Sequence, residues 1–203
     1  ASSGGGGGGG GFGGGGGGGQ TGGGGGGFGA GGGGGYMGQT GKGGYFGGAG
    51  GDNIGGGGGG GALGGAVFVG ESSSLILLSS TTISGNTSVA GVGGNNDEGS
   101  GDPGNPGIGN DIFLFKGAQL VFDGASNWNA SFAIEADQEA PEGFLDSGVV
   151  KKDTGMITLS AVNNYRGGTQ INGGVLIASQ DSNLGNASGG ISFDGGTLEA
   201  TNS

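Results

Sequence analysis

The chain has 203 residues, of which 68 are glycine, with no cysteine, no histidine and a net charge of −11. Lack of histidine and cysteine excludes Ser-His-Asp and Cys-His chemistry within the chain and any disulfide framework. The acidity disfavours nucleic acid and anionic lipid as partners, and no apolar run reaches the ~18 residues of a membrane helix.

Glycine and charge are unevenly placed. Residues 1–65 hold 44 glycines and only Lys42 and Asp52 as charges, whereas residues 66–203 carry fifteen acidic and four basic side chains. The composition predicts a glycine-rich low-complexity segment over 1–65 and an ordered region over 66–203, with acidity keeping the latter soluble. Ala1-Ser2-Ser3 reads as an N-terminus exposed by removal of a leader. The alternating strands of a membrane barrel are missing from the sequence, so direct membrane insertion is not expected.

In residues 4–61, glycine runs are punctuated by Phe12, Gln20-Thr21, Phe28, Tyr36-Met37, Tyr45-Phe46 and Asp52-Asn53-Ile54. Glycine has the most backbone entropy to lose and no side chain to bury. Two states are open: a flexible tether, or a bundle of polyglycine-II-like helices whose N–H and C=O groups pair between segments. Ordering such a tract costs on the order of 65–130 kcal/mol, so nearly all of its hydrogen bonds must be made. Several passes packed on one another, or on other copies, meet that condition. Phe12, Phe28, Tyr36, Tyr45 and Phe46 are candidate contacts that set the register of such an assembly. Gly47–Gly55 (GGAGGDNIG) matches a calcium-binding nonapeptide, with Asp52 as the carboxylate ligand. The glycine background supplies most of that match and only one copy exists, so no cofactor is expected and Ca2+ at Asp52 is the one weak candidate.

Short strands are predicted at Ala66–Val69, Leu75–Leu78, Thr82–Ile83 and Val89, each ending at Gly or Ser. Gly94–Asn110 reads as a loop; Asp97, Glu98, Asp102 and Asp111 lie in or beside it without the spacing of an EF-hand. Strands resume at Ile112–Phe115, Leu120–Phe122, Phe132–Ile134 and Val149–Val150, separated by an acidic loop over 135–146. The carboxylate pairs Asp137/Glu139 and Glu139/Glu142 fall in that loop, where the fixed separation needed for glycoside hydrolysis is not expected. Trp128 lies in an Asn-rich segment read as a turn, either an interior aromatic or a carbohydrate contact. Apolar residues nowhere recur at helical spacing, so the chain is all-β and coil.

The C-terminal part repeats. Ile171–Ser179 aligns with Phe193–Thr201 at an offset of 22, and Thr154–Ser160 with Gly173–Ser179 at an offset of 19. One strand-and-turn unit per ~20 residues predicts a stacked β-solenoid, in which no unit buries its apolar face alone. Gly167, Gly168, Gly173, Gly174, Gly195 and Gly196 are assigned to the corners, where positive φ and close backbone approach are needed. Asn163, Asn164, Asn172 and Asn183 are assigned to the same corners because asparagine tolerates the left-handed region.

The ordered pattern Lys152, Gly155, Leu159, Asn164, Tyr165, Gly167-Gly168-Thr169, Gly173-Gly174, Leu176, Leu184-Gly185 resembles the passenger-associated repeat of bacterial autotransporters (type V secretion). Residues 60–91 are similar to the upstream part of the same glycine-rich passengers. The resemblance implies a right-handed parallel β-helix, secreted and displayed outside an outer membrane. It also implies that Lys151 and Lys152, at the start of a strand, belong to the motif and are not catalytic. The expected function is a non-enzymatic extracellular structural protein that self-assembles into a filament or surface layer through stacking and glycine-tract packing. The alternative is a monomeric adhesin that binds host or surface ligands through its loops at 94–110 and 135–146, with the glycine tract as a flexible spacer.

Overall fold

The computed structural model describes residues 8–11, 14–36, 39–52, 55–96, 99–104, 108–138 and 146–201. The chain divides into two compact units: Ala1–Leu63 with Ser88–Ile108, and Gly64–Thr87 with Gly109–Ser203. This division differs from the composition boundary near Ala66, because residues 88–108 join the glycine-rich tract instead of forming a loop of the solenoid.

In the glycine unit, extended segments of about six residues run antiparallel to their chain neighbours. Gly24 and Gly27 donate to Gly17 and Gly14, and Gly41 and Gly44 donate to Gly33 and Ala30. Next-but-one segments are parallel: Gly23, Gly26, Gly29, Gly32 and Gly35 donate to Gln39, Lys42, Tyr45, Gly48 and Gly51. A donor at every third residue is what three residues per turn produce, so the arrangement is polyglycine-II-like. The reversals are closed by bonds across three residues, in which Ala30 donates to Gly27, Gly47 to Gly44 and Gly55 to Asp52. They fall at the non-glycine punctuation, where Gly29 and Phe46 take φ of 72° and 70°. Residues 91–94 and 99–104 add two more segments. Gly91 and Gly94 donate to Gly60 and Gly57, while Gly56 and Gly59 donate to Gly99 and Asp102. Between them β3 (Asn95–Asn96) pairs antiparallel with β4 (Gly99–Ser100). Segment 30–35 is largely buried, and a Cβ on Gly33 would overlap the Gly17 carbonyl.

The solenoid unit is three parallel sheets. The first face stacks β1 (Val67–Val69), β5 (Ile112–Leu114) and β8 (Ile134–Ala136). The second stacks β2 (Ser74–Leu77), β6 (Gln119–Phe122), β9 (Gly148–Lys151), β11 (Thr169–Ile171) and β13 (Ile191–Phe193). The third stacks β7 (Trp128–Ala130), β10 (Met156–Leu159), β12 (Val175–Ala178) and β14 (Thr197–Ala200). Met156 pairs with Val175, and Val175 with Thr197, so the two sequence offsets are two of the three rung registers of the third face. Alternate residues point inward and form ladders such as Trp128, Ile157, Leu176 and Leu198. Each buried Leu, Ile or Phe of this core contributes about 1.5–3 kcal/mol. The described residues contain no α-helix, and no helix long and apolar enough to cross a membrane.

Several expected elements shift. Thr82–Ile83 and Val89 are not strands, and Phe132–Ile134 moves to Ile134–Ala136 because Ile134 and Ala136 are the inward pair while Phe132 packs in the preceding corner. Trp128 is not in a turn: it lies in β7, edge-on to Phe122 at 5.5 Å and tilted against Phe132 at 6.2 Å.

Beyond β8 the first face has no further strand among the described residues, and asparagine side chains replace it. Asn163 Oδ1 accepts the Ile134 N–H at 2.8 Å, and Asn164 Oδ1 accepts that of Ala136 at 2.9 Å. Asn183 Oδ1 then accepts the Gln180 N–H at 3.1 Å, while its Nδ2 donates to Ala161 O at 2.8 Å. None of Asn163, Asn164, Asn172 and Asn183 has positive φ. The expected left-handed role is therefore corrected: the first two and Asn183 serve as side-chain caps on orphan backbone groups.

Gly33→Ala should destabilise the glycine unit by about 1–3 kcal/mol or more. Gly18→Ala, whose Cβ would meet only Gly34 O at 3.6 Å, should be near neutral; thermal unfolding with limited proteolysis compares the two. Asn183→Ala should lower solenoid stability by about 1–3 kcal/mol, since it orphans part-buried backbone groups; denaturant titration measures it.

Candidate functional site

The repeat pattern can now be read residue by residue. Leu159 and Leu176 point into the core, and Tyr165 is buried with its hydroxyl 2.7 Å from Thr169 Oγ1. Gly185, at φ 90°, lies against the Tyr165 ring. Gly168, Gly174 and Gly195 have φ of 79°, 59° and 104°. At Gly167 and Gly196 a Cβ would overlap the Asp146 carbonyl and Ile171 Cγ2, and at Gly173 it would press on the Asp153 carbonyl at 3.1 Å.

The two lysines behave differently. Lys152 is exposed, whereas Lys151 ends β9, pointing inward between Phe122 and Ile171. Its ammonium donates to the carbonyls of Lys152 and of Asp153, the latter at 2.7 Å. Burial pushes its pKa down, opposed by the carboxylates of Asp153 and Asp123. The structure thus places Lys151 at the end of β9 and Lys152 in the corner after it, not at the start of a strand, and the lysine with a structural role is Lys151.

The remaining expected sites disperse. Phe28, Tyr45 and Phe46 pack on one another at one end of the glycine unit, with Phe28 stacked on Tyr45 at 6.2 Å and Tyr45 edge-on to Phe46 at 4.4 Å. Tyr36 belongs to the opposite set of reversals and is 42% exposed. Phe12 lies outside the described residues, as do Ile54, Asp97, Glu98, Glu139 and Glu142. Asp52 is exposed, and among the described residues no three acidic side chains converge on a metal position. Asp102 and Asp111 fall in different units. Asp111 is bound by Asn86 Nδ2 and the Ala133 N–H, both at 3.0 Å, so it is a structural bracket.

Asp137 is buried. Its Oδ1 accepts the Lys116 N–H at 3.2 Å, while Oδ2 has no partner among the described residues. Burial, with a smaller repulsion from Asp146, raises its carboxyl above the ordinary 3.8 despite the Lys116 N–H.

A concave feature lies on the second face. Gly148, Gly168 and Gly190 precede inward-facing residues in three successive rungs and stack in register, forming a trough along the solenoid axis. Gln119 closes one end, Val150, Gln170 and Ser192 form one wall, and Asp146 and Gly167 the other. The cleft has a volume of about 250 Å³. Sequence reasoning assigned Gly168 to a corner and did not single out Gly148. The signal for a trough was the coincidence of their positions once the strands are in register.

Residues 149–178 match the family described as passenger-associated-transport-repeat. Among known proteins, the Adhesin BmaC autotransporter of Brucella suis biovar 1 (strain 1330) is 55% identical over 51 residues, which is 25% of this chain and 2% of that protein. No solved structure matches the chain. The chain therefore carries an autotransporter passenger repeat and is similar to one short stretch of a much longer relative, which places it at the secreted, cell-surface side.

Asp137 contributes its full stability below pH 3.8 and loses it as pH rises through its raised folded pKa. Asp137→Asn should therefore raise the Tm at pH 7, and the gain should vanish toward pH 4. Calorimetry across pH checks both.

Proposed function

We propose that this chain is part of the surface-displayed passenger of a bacterial autotransporter and acts there as a non-enzymatic, adhesive β-solenoid. The observation that carries this reading is the passenger-associated repeat at residues 149–178, where Asn164, Tyr165, Leu159, Leu176 and the glycine pairs each hold a coil to its neighbour. The relative is named an adhesin, which makes adhesion the favoured role. Non-enzymatic action fits a chain without histidine or cysteine whose one described buried carboxylate, Asp137, serves the Lys116 N–H.

Between self-assembly and a monomeric adhesin, the hydrogen bonding of the glycine unit favours the second. Many of its donors find acceptors within one chain, from Gly10 to Gly25 through Gly61 to Gly29, which supports a unit that holds together without a second copy. The glycine unit then works as a compact block and not as a flexible spacer.

Sedimentation of the 18.6 kDa chain should give a monomer across concentration. Bacteria displaying the parent passenger should adhere to coated surfaces, with adhesion blocked by the soluble chain and lost on deletion of this segment. Concentration-dependent fibres, or adhesion indifferent to the deletion, would contradict the proposal.

A further inference from the structure

We propose that the glycine-floored trough on the second face of the solenoid binds an uncharged glycan strand laid along the solenoid axis. This inference rests on the adhesive reading above and names the ligand class and the residues.

The first argument is shape. Gly148, Gly168 and Gly190 leave the floor without side chains; Gly190 is exposed there, while Gly148 and Gly168 are buried. Successive rungs lie about 4.7–4.9 Å apart, which suits an extended ligand with a repeating unit better than a compact one.

The second argument is which polar groups are unspoken for. The side chains of Gln119, Gln170 and Ser192 make no hydrogen bond to any described residue and stand on the trough rim. By contrast, Asn127, Asn129, Asn163, Asn164, Asn183 and Gln138 on the same unit are all bonded to protein groups. Two amides and a hydroxyl supply donors and acceptors together, which is the complement of a sugar's hydroxyl pattern.

The third argument is charge. Among the described residues Asp146 is the sole charged one lining the trough, and the chain carries −11 overall. An anionic ligand meets repulsion without a compensating cation. An uncharged glycan meets none.

The test is binding of the whole chain to immobilised, uncharged hexose and N-acetylhexosamine oligomers, with sulfated oligomers of the same backbones and an oligolysine peptide alongside. We expect saturable binding to at least one uncharged oligomer. Gln119→Ala and Gln170→Ala should each weaken it about tenfold, and Gln170→Trp, which fills the trough from an exposed position, should abolish it. Unaltered thermal unfolding of each variant establishes that the fold is kept. Absence of binding to all uncharged oligomers, equal binding by Gln170→Trp, or preference for the sulfated oligomers or for oligolysine would overturn the proposal. Cells displaying the Gln170→Trp passenger separate the two readings. Adhesion that survives this change but is lost on deletion of the segment overturns the trough alone. Adhesion that survives both overturns the adhesive function.

Discussion

The backbone hydrogen bond between stacked passes is the interaction on which everything else depends. No described segment of this chain can satisfy all of its own N–H and C=O groups, since the described residues hold only one short 3₁₀ turn, Asp181–Leu184, and otherwise strands, turns and extended segments. Each pass must present its donors at the spacing at which the next pass presents acceptors. The solenoid unit meets this with parallel rungs, and the glycine unit meets it with threefold segments bonded at every third residue. The two differ in what fills the interior. In the solenoid, inward ladders of Leu, Ile and Phe add hydrophobic burial to the backbone lattice. In the glycine unit, backbone approaches backbone and a single Cβ is often too much.

Where the lattice is interrupted, side chains take over. The first face ends at β8, and Asn163 and Asn164 supply the acceptors that a further strand would have provided. At the corner after β9 the Lys151 ammonium serves two carbonyls that point inward, at the cost of burying a charge beneath Phe122 and Ile171. These polar side chains are conspicuous in sequence, yet they are structural. The trough draws its interest from the reverse situation, in which polar side chains have no partner among the described residues and border a floor of bare backbone.

The solenoid was legible because a rung register is a sequence offset: 19 and 22 residues recur as Met156–Val175 and Val175–Thr197 pairings. The corner glycines were legible for the same reason. The division into units was not, since residues 88–108 leave the solenoid to complete the glycine unit and composition does not report such an excursion. The roles of Asn163, Asn183 and Lys151 depend on which groups a neighbouring coil leaves orphaned, and a sequence read along one coil cannot supply that. The glycine unit did carry a usable signal that composition concealed: Phe12, Gln20, Phe28, Tyr36 and Tyr45 recur every eight or nine residues, the length of one segment with its reversal. The trough was invisible because Gly148, Gly168 and Gly190 meet only through the register of three strands.

A surface passenger built this way holds its shape without a disulfide, because the same backbone pairing continues from pass to pass. Residue-resolved amide hydrogen exchange of the intact chain tests that claim most directly. The account predicts slow exchange at Gly23, Gly26, Gly32, Gly33 and Gly35, whose N–H groups are bonded within the chain, and fast exchange at exposed Gly15 and Gly18, whose N–H groups have no acceptor among the described residues. Uniformly fast exchange across residues 8–61, with protection confined to the solenoid strands, would contradict it.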